Sequence, residues 1–328
     1  MFVLVTIVSC DMEALNKTGF SVTYDKNDAD DGTVPGIQFP NERGSIEISG
    51  NTGNLTKKVF TFYGWSTNKT NSSFLNKGDF ITADRPMTLY AQFDKPLTKE
   101  IVNATKLENG SFKITNEGYT VIAKNAFSGK KEELKSVEIP STIRIIDKKA
   151  FSDCSNLSSV TLPDGLMAIS REAFTNCTEL KAITIPKSVH KIFGSAFKGC
   201  KNLKISIDSQ NLNLTTDGIS IYSNRGKRLV CCPSAIGTYT VSENVEEIFD
   251  QVFEDNLELT KIVFPKNLKK IWYGVFTDCK NLKEIEFAGT KEQWESITKI
   301  SNWNYNCNSI KVTCKADNNT FDIPPYKY

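Results

Sequence analysis

Phenylalanine recurs at Phe127, Phe151, Phe174, Phe197, Phe253 and Phe276, at intervals of 24, 23, 23, 56 and 23 residues. A fixed period of this length marks stacked coils rather than one globular core. The unit reads L/I/V-x-x-I-x-x-x-A-F-x-x-C-x-x-L-x-x-V/I-x-I/L-P. It is nearly complete at Leu166, Ile169, Ala173, Phe174, Cys177, Leu180, Ile183, Ile185 and Pro186. Residues 141–163 repeat it with Ile143, Ile146, Ala150, Phe151, Cys154, Leu157, Val160, Leu162 and Pro163, and residues 266–287 with Leu268, Ile271, Val275, Phe276, Cys279, Leu282, Ile285 and Phe287. One such unit cannot bury its own apolar face, so neighbouring coils must supply the rest of the core. The broad repetitive surface that results suits large partners and rarely encloses a reaction centre.

The period also interprets the cysteines. Cys154, Cys177, Cys200 and Cys279 share one repeat position, which points inward in register, so they are expected as a buried ladder of small hydrophobes. Zinc would need paired short spacings with histidine, and His190 is the single histidine, so no metal site and no cofactor are expected. Cys307 and Cys314 leave a disulfide open, since spacing alone does not fix the geometry. Charge is nearly balanced, with 40 Lys plus Arg against 38 Asp plus Glu, so no overall field favours nucleic acid or an anionic membrane.

Residues 1–10 hold an apolar run from Phe2 to Val8 that ends in Ile7-Val8-Ser9-Cys10 before a polar stretch. That ending resembles a bacterial lipobox. The resemblance implies cleavage before Cys10 and lipidation of Cys10, with the membrane reached only through this anchor. The segment departs from the pattern in lacking Lys or Arg ahead of the apolar run. A run this short cannot be a transmembrane helix, which needs about 20 apolar residues.

Residues 20–94 do not follow the repeat. Alternating apolar and polar residues in Phe20–Tyr24, Ser45–Ile48, Val59–Phe62 and Thr88–Phe93 are expected as half-buried strands of a separate small module. Phe62-Tyr63-Gly64-Trp65-Ser66-Thr67 and Leu89-Tyr90-Ala91-Gln92-Phe93 resemble the Listeria-Bacteroides repeat, which implies a β-grasp-like fold. Phe93 stands where that family usually ends in Trp. Trp65 and Tyr90 are expected to pack the core of this module.

Residues 95–117 are expected as a linker and N-terminal cap, and 118–288 as the repeat array. The A-F-x-x-C-x-x-L signature with I-P at the strand end resembles the BspA-like leucine-rich repeat over about six copies. The fold class expected is therefore mainly β with short helical turns: a leucine-rich repeat solenoid preceded by a small β-grasp-like domain. The interval of 56 is one period of 23 plus 33 residues, and this insert, about 209–241, reads as strand, turn, strand. Residues 289–316, opening Gly289-Thr290-Lys291-Glu292-Gln293-Trp294, are expected to cap the last coil, and 317–328 to form a loose tail.

Within each strand the residues between the inward Val and Ile face outward. The candidate partner-binding rows are Ser136 and Glu138, Ser159 and Thr161, Ala182 and Thr184, Lys204 and Ser206, Lys261 and Val263, and Glu284 and Glu286. Because interfaces draw energy from Trp, Tyr and Arg, Trp272, Tyr273, Tyr222 and the hairpin-tip Arg225 are added as exposed candidates. No nucleophile with a positioned base appears, and no G-x-S-x-G or P-loop, so catalytic residues are not expected. The lipobox, the solenoid platform and the resemblance to BspA-like proteins together imply an exported, lipid-anchored adhesin, expected to be a monomer. Its partners would be host extracellular-matrix or cell-surface proteins, or other bacteria. The alternative is a scaffold lipoprotein of the cell envelope.

Overall fold

The computed structural model describes residues 20–41, 45–58, 60–67, 69, 75, 80–81, 85–115 and 117–324. They form two compact units, divided between Lys95 and Pro96. In the first, Met87–Asp94 is the central strand, parallel to Val22–Asp25 and antiparallel to Thr61–Ser66. Trp65 is fully buried, donates its indole N–H to the Ser49 carbonyl at 2.9 Å, and meets Tyr24 and Phe62 edge-on at 4.6 and 5.2 Å. A satisfied polar handle lets this large ring serve as core in a small module.

The second unit is a mainly β solenoid. A typical coil contributes one two-residue strand and one longer strand, and equivalent strands pair in parallel with coil-to-coil register. The short strands Pro96–Leu97, Val121–Ile122, Ile145–Ile146, Ala168–Ile169 and Lys191–Ile192 form one sheet. Past the insert, Arg228–Cys231, Glu247–Ile248, Lys270–Ile271 and Thr298–Lys299 resume the same pattern. The longer strands fall into three groups: Ser111–Lys113 to Ser159–Thr161, Ala182–Ile185 with Lys204–Ile207, and Gly237–Thr240 to Ile310–Cys314.

The repeat residues explain why the coils stack. Phe127, Phe151, Phe174 and Phe197 lie fully buried and face to face, with successive centroids 4.5, 5.1 and 5.4 Å apart, and Phe253 stacks on Phe276 at 5.3 Å. The cysteines bind coil to coil: the thiols of Cys177, Cys200 and Cys279 donate to the carbonyls of Phe151, Phe174 and Phe253 in the preceding coil. Cys307 donates likewise to Phe276, so it extends the ladder. The residue two after the phenylalanine takes a left-handed conformation in every repeat but that of Phe127, at Asp153, Asn176, Gly199, Asp255 and Asp278, with φ between 55° and 77°. Asn, Asp and Gly tolerate that region best, which accounts for their recurrence there.

All eight cysteines from Cys154 to Cys314 are buried free thiols, which settles Cys307 and Cys314 as unbridged. Burial pushes the Cys154 thiol up to about 12 and those of Cys232 and Cys307 up to about 11. Because the thiolate is the reactive form, a Cys10→Ser variant is expected to take up no maleimide or disulfide reagent at pH 8 while folded. Titration in denaturant should then reveal all eight. Stoichiometric labelling of the folded protein would contradict the buried ladder.

Two boundaries differ from the sequence reading. The segment 95–117, expected as a linker and N-terminal cap, is from Pro96 on a first coil rather than a linker, because Pro96–Leu97 and Ser111–Lys113 join the two sheets with the helix Lys99–Ala104 between them in the chain. The expected loose tail contains the strand Asn319–Ile323, antiparallel to Ile310–Cys314. That strand satisfies the hydrogen-bonding edge the last coil would otherwise expose. Beside it, Thr290 and Gln293 form a reciprocal capping box that starts the helix Lys291–Ser296, and this helix seats the buried Trp294 against Phe287 at 5.7 Å.

In the insert, Leu214–Thr216, Ile221–Ser223 and Arg228–Cys231 form an antiparallel meander whose last strand is also a coil strand. The coils on either side therefore meet directly. Lys198 pairs with Asp255 and Lys201 with Glu258, and a methyl group on Gly194 would lie 2.1 Å from the Asp250 carbonyl oxygen. The obstructing atoms, of Asp250, Gln251 and Val252, are all backbone, so Gly194→Ala is expected to lower stability by about 1–3 kcal/mol, read as a shift in urea midpoint with an unchanged m-value.

Candidate binding surfaces

The outward rows of the longer strands come together as expected in register but not as one uninterrupted face. Ser136 pairs with Ser159, Glu138 with Thr161, Ala182 with Lys204, Thr184 with Ser206, Lys261 with Glu284, and Val263 with Glu286. Glu138, Ser159, Thr161, Thr184, Lys204 and Glu284 are exposed, whereas Ser136, Lys261 and Glu286 are half-buried. The charges answer one another: Lys113 lies 3.1 Å from Glu138, and Lys261 lies 3.7 Å from Glu284 and 2.9 Å from Glu286. The hydrogen bond from Lys261 holds the Glu286 carboxyl below its ordinary range, and desolvation opposes it. Exposed pairs of this kind contribute about 0–1 kcal/mol each, so this face is flat, polar and self-neutralised.

Tyr222 is a correction. It is 6% exposed, and its hydroxyl donates to Asp217 Oδ2 at 2.7 Å, with burial pushing the phenol up to about 12. Asp217 Oδ1 also accepts from the backbone N–H groups of Ile219 and Ser220 at 3.0 and 2.8 Å. The Asp and Tyr of the insert thus form an internal brace for the turn, and Tyr222 presents no surface to a partner. Arg225 stands exposed at the hairpin tip with φ 55°, while Lys227 and Arg228 are drawn down to Glu246 and Glu247 at 2.8 Å. Tyr273 is 44% exposed. Cys10 lies outside the described residues.

Trp272 leads to a different face, that of the short strands. Its indole N–H donates to Glu247 Oε2 at 3.0 Å, and the same carboxylate accepts from Arg228 at 2.8 Å. Arg228 lies over both Phe249 and Trp272, 5.4 and 5.8 Å from their centroids, and Lys270 lies 3.4 Å from the Trp272 centroid. A second group adjoins it: Arg171 and Lys191 lie 5.8 and 5.1 Å from the Phe193 centroid, and Arg171 reaches Asp250 at 4.0 Å. Phe193, Phe249 and Trp272 all follow the inward Ile of the short strand, and each backbone N–H donates to the previous coil. Half-buried rings flanked by cations are the usual anchors of protein interfaces.

Only Trp272 of this face was legible as a candidate in the sequence. The signal was the aromatic residue directly after the short-strand Ile, present at Phe193, Phe249 and Trp272 and replaced by Asp147 and Ser170 in earlier coils. Among the described residues no group of three or more His, Cys, Asp or Glu is placed to hold a metal ion. His190 is half-buried, its imidazole pushed down by desolvation, and its Nδ1 lies 3.4 Å from the Ser188 carbonyl. No helix among the described residues is long and apolar enough to cross a membrane.

The family model for the BspA type leucine rich repeat region matches residues 120–229 and 225–324, with six copies. The chain belongs to this family. Among solved structures, this BspA-type chain is similar to the pneumococcal vaccine antigen PcpA at 28% identity, with a TM-score of 0.40 over 47% of this chain. The match spans 39% of that antigen's chain. A leucine-rich repeat protein from Eubacterium ventriosum matches at 18% identity and TM-score 0.33, over 59% of this chain and 74% of its own. The leucine-rich repeat protein of T. pallidum matches at 22% identity and TM-score 0.32, over 61% and 86%. No curated protein matches the chain.

Proposed function

We propose that this BspA-type protein is a non-enzymatic, surface-anchored adhesin whose solenoid binds a host matrix or cell-surface protein, or a protein of another bacterium. The observation that carries the reading is the aromatic and basic face around Trp272, Phe249 and Phe193. Four cations, Arg171, Lys191, Arg228 and Lys270, stand there against two carboxylates, Glu247 and Asp250, so the face suits an acidic segment of the partner. Cationic heads over rings combine attraction with apolar area, which the self-neutralised polar rows lack.

Lipidation at Cys10 would hold the protein in the envelope, and the module at 20–94 would be a Listeria-Bacteroides-type repeat that presents the solenoid. The alternative is an envelope scaffold holding a partner beneath the surface. Antibody labelling and protease shaving of intact cells separate the two. An adhesin is labelled and cleaved without permeabilisation, and a Cys10→Ser variant is released to the medium. Protection until the envelope is opened would favour the scaffold.

A further inference from the structure

Both sheets of the solenoid stop at the same place. Lys191–Ile192 is the last strand of the first short-strand sheet and pairs with no strand of the second, which resumes in the insert. Among the longer strands, Lys204–Ile207 pairs only with Ala182–Ile185, and Gly237–Thr240 only with Leu259–Phe264. The backbone N–H groups of Phe127, Phe151, Phe174, Phe253 and Phe276 each donate to a carbonyl of the following coil, whereas Phe197 makes no such bond among the described residues. Stacked coils are stabilised interface by interface, so the seam between the coils of Phe197 and Phe253 lacks the backbone pairing that holds the other coils together.

Two kinds of link cross this seam. The insert tethers both halves: the Gly218 carbonyl accepts from the Ile205 N–H at 2.8 Å, Leu214, Ile221 and Val230 join the core of the first half, and Leu229 and Cys232 join that of the second. Beside it stand part-exposed ion pairs, Lys198 with Asp255, Lys201 with Glu258 and, at 4.0 Å, Arg171 with Asp250. Such pairs contribute little and are screened by salt. Packing at the seam is incomplete as well. Residues of both halves, among them Asn176, Lys201, Val252 and Leu257, line a cavity of about 280 Å³. The buried Ser195 Oγ and Gln251 Oε1, one from each half, have no hydrogen-bond partner. Unpaired buried polar atoms weaken the contact that holds them.

The seam also divides the aromatic and basic face. Phe193, with Arg171 and Lys191 over its ring, belongs to the first half, and Phe249 and Trp272, with Arg228 and Lys270, belong to the second. We propose that the seam is a hinge, and that an acidic segment of a partner spanning Phe193 and Trp272 closes it, so that binding is coupled to the angle between the halves. A partner that grips both groups favours the arrangement in which they stand together and shifts the population towards it. The coupling rests on the reading of the Trp272 face as the binding surface; the hinge stands on the interrupted sheets and does not need it.

Spin labels on the full chain in a Cys10→Ser background, where the other thiols are buried, test both parts by double electron–electron resonance. Labels at Lys113→Cys and Lys311→Cys span the seam, those at Lys113→Cys and Lys204→Cys lie within the first half, and all three lysines are exposed. The distance distribution across the seam is expected to be about twice as wide as the one within the half. It should widen further with added salt, and equally at low salt in Lys198→Gln with Lys201→Gln. Poly-L-glutamate, the acidic probe, should narrow it in the wild type and not in Trp272→Ala. A cross-seam distribution as narrow as the control and indifferent to salt would overturn the hinge. Trp272-dependent binding of poly-L-glutamate that leaves the distribution unchanged would overturn the coupling. No binding of poly-L-glutamate, or binding equal in Trp272→Ala, would contradict the reading of the face and the coupling with it, while the widths and their salt dependence decide the hinge.

Discussion

Replacing Phe174 by alanine is expected to cost about 3–5 kcal/mol and to unfold the repeat array at ambient temperature or shortly above it. The ring is fully buried between Phe151 at 5.1 Å and Phe197 at 5.4 Å, so its removal opens a void with coils fixed on both sides. The neighbours are tied by parallel strand pairs and by the Cys200 thiol on the Phe174 carbonyl, which limits collapse into the gap. Stability in stacked coils is carried by nearest-neighbour interfaces, and one truncated layer weakens two of them. Urea denaturation followed by circular dichroism measures the loss. A change below about 1 kcal/mol, the ordinary outcome at unimportant surface sites, would contradict the stack as the source of stability.

The largest functional effect is expected at Trp272. Alanine there should weaken partner binding about 30-fold or more, the signature of an interface anchor worth at least ~2 kcal/mol. Arg228→Gln should have a similar effect, because one carboxylate, Glu247, fixes both the indole and the guanidinium. Since the face is net basic, binding should also fall as salt rises. Lys261→Ala and Glu284→Ala, on the polar rows, should change affinity little. Surface plasmon resonance on variants of matched melting temperature checks the ordering, and loss on the polar rows with retention at Trp272 would reverse the assignment.

The layers that the sequence announced are those whose side chains must repeat. Phe174, Cys177, Leu180 and Ile183 point into the shared core of neighbouring coils, so packing forces the same residue type at the same place in each copy. Outward positions carry no such constraint, and the short-strand face passes from Asp147 and Ser170 to Phe193, Phe249 and Trp272 without an audible period. The first coil hid for a similar reason: it replaces A-F and its Cys with the helix Lys99–Ala104, and only strand pairing reveals it. Cys307 could not be read as a member of the ladder because the helix Lys291–Ser296 lengthens its coil, placing it 28 residues after Cys279 rather than 23. Tyr222 looked available as a lone aromatic in a loop-like insert. Its burial depends on Asp217 five residues earlier, a pairing made by the turn geometry.

The surroundings of the buried Ser195 also depend on tertiary structure. The residue two before each phenylalanine is left-handed at Asn125, Lys149, Glu172, Gln251 and Gly274, but Ser195 does not take that conformation. Its coil is the one followed by the insert, and it packs directly on a coil far along the chain, as the Lys198–Asp255 pair 57 residues apart shows.

Adhesion is proposed to rest on the solenoid itself rather than on the N-terminal module. The direct measurement compares residues 11–328 with residues 96–328 for binding to immobilised fibronectin, fibrinogen and mucin. Saturable binding to at least one of these, retained by the shorter chain within about threefold, is the predicted result. A shorter chain that melts as the solenoid does in the longer one, yet has lost the binding, would place adhesion on residues 20–94 and contradict the account.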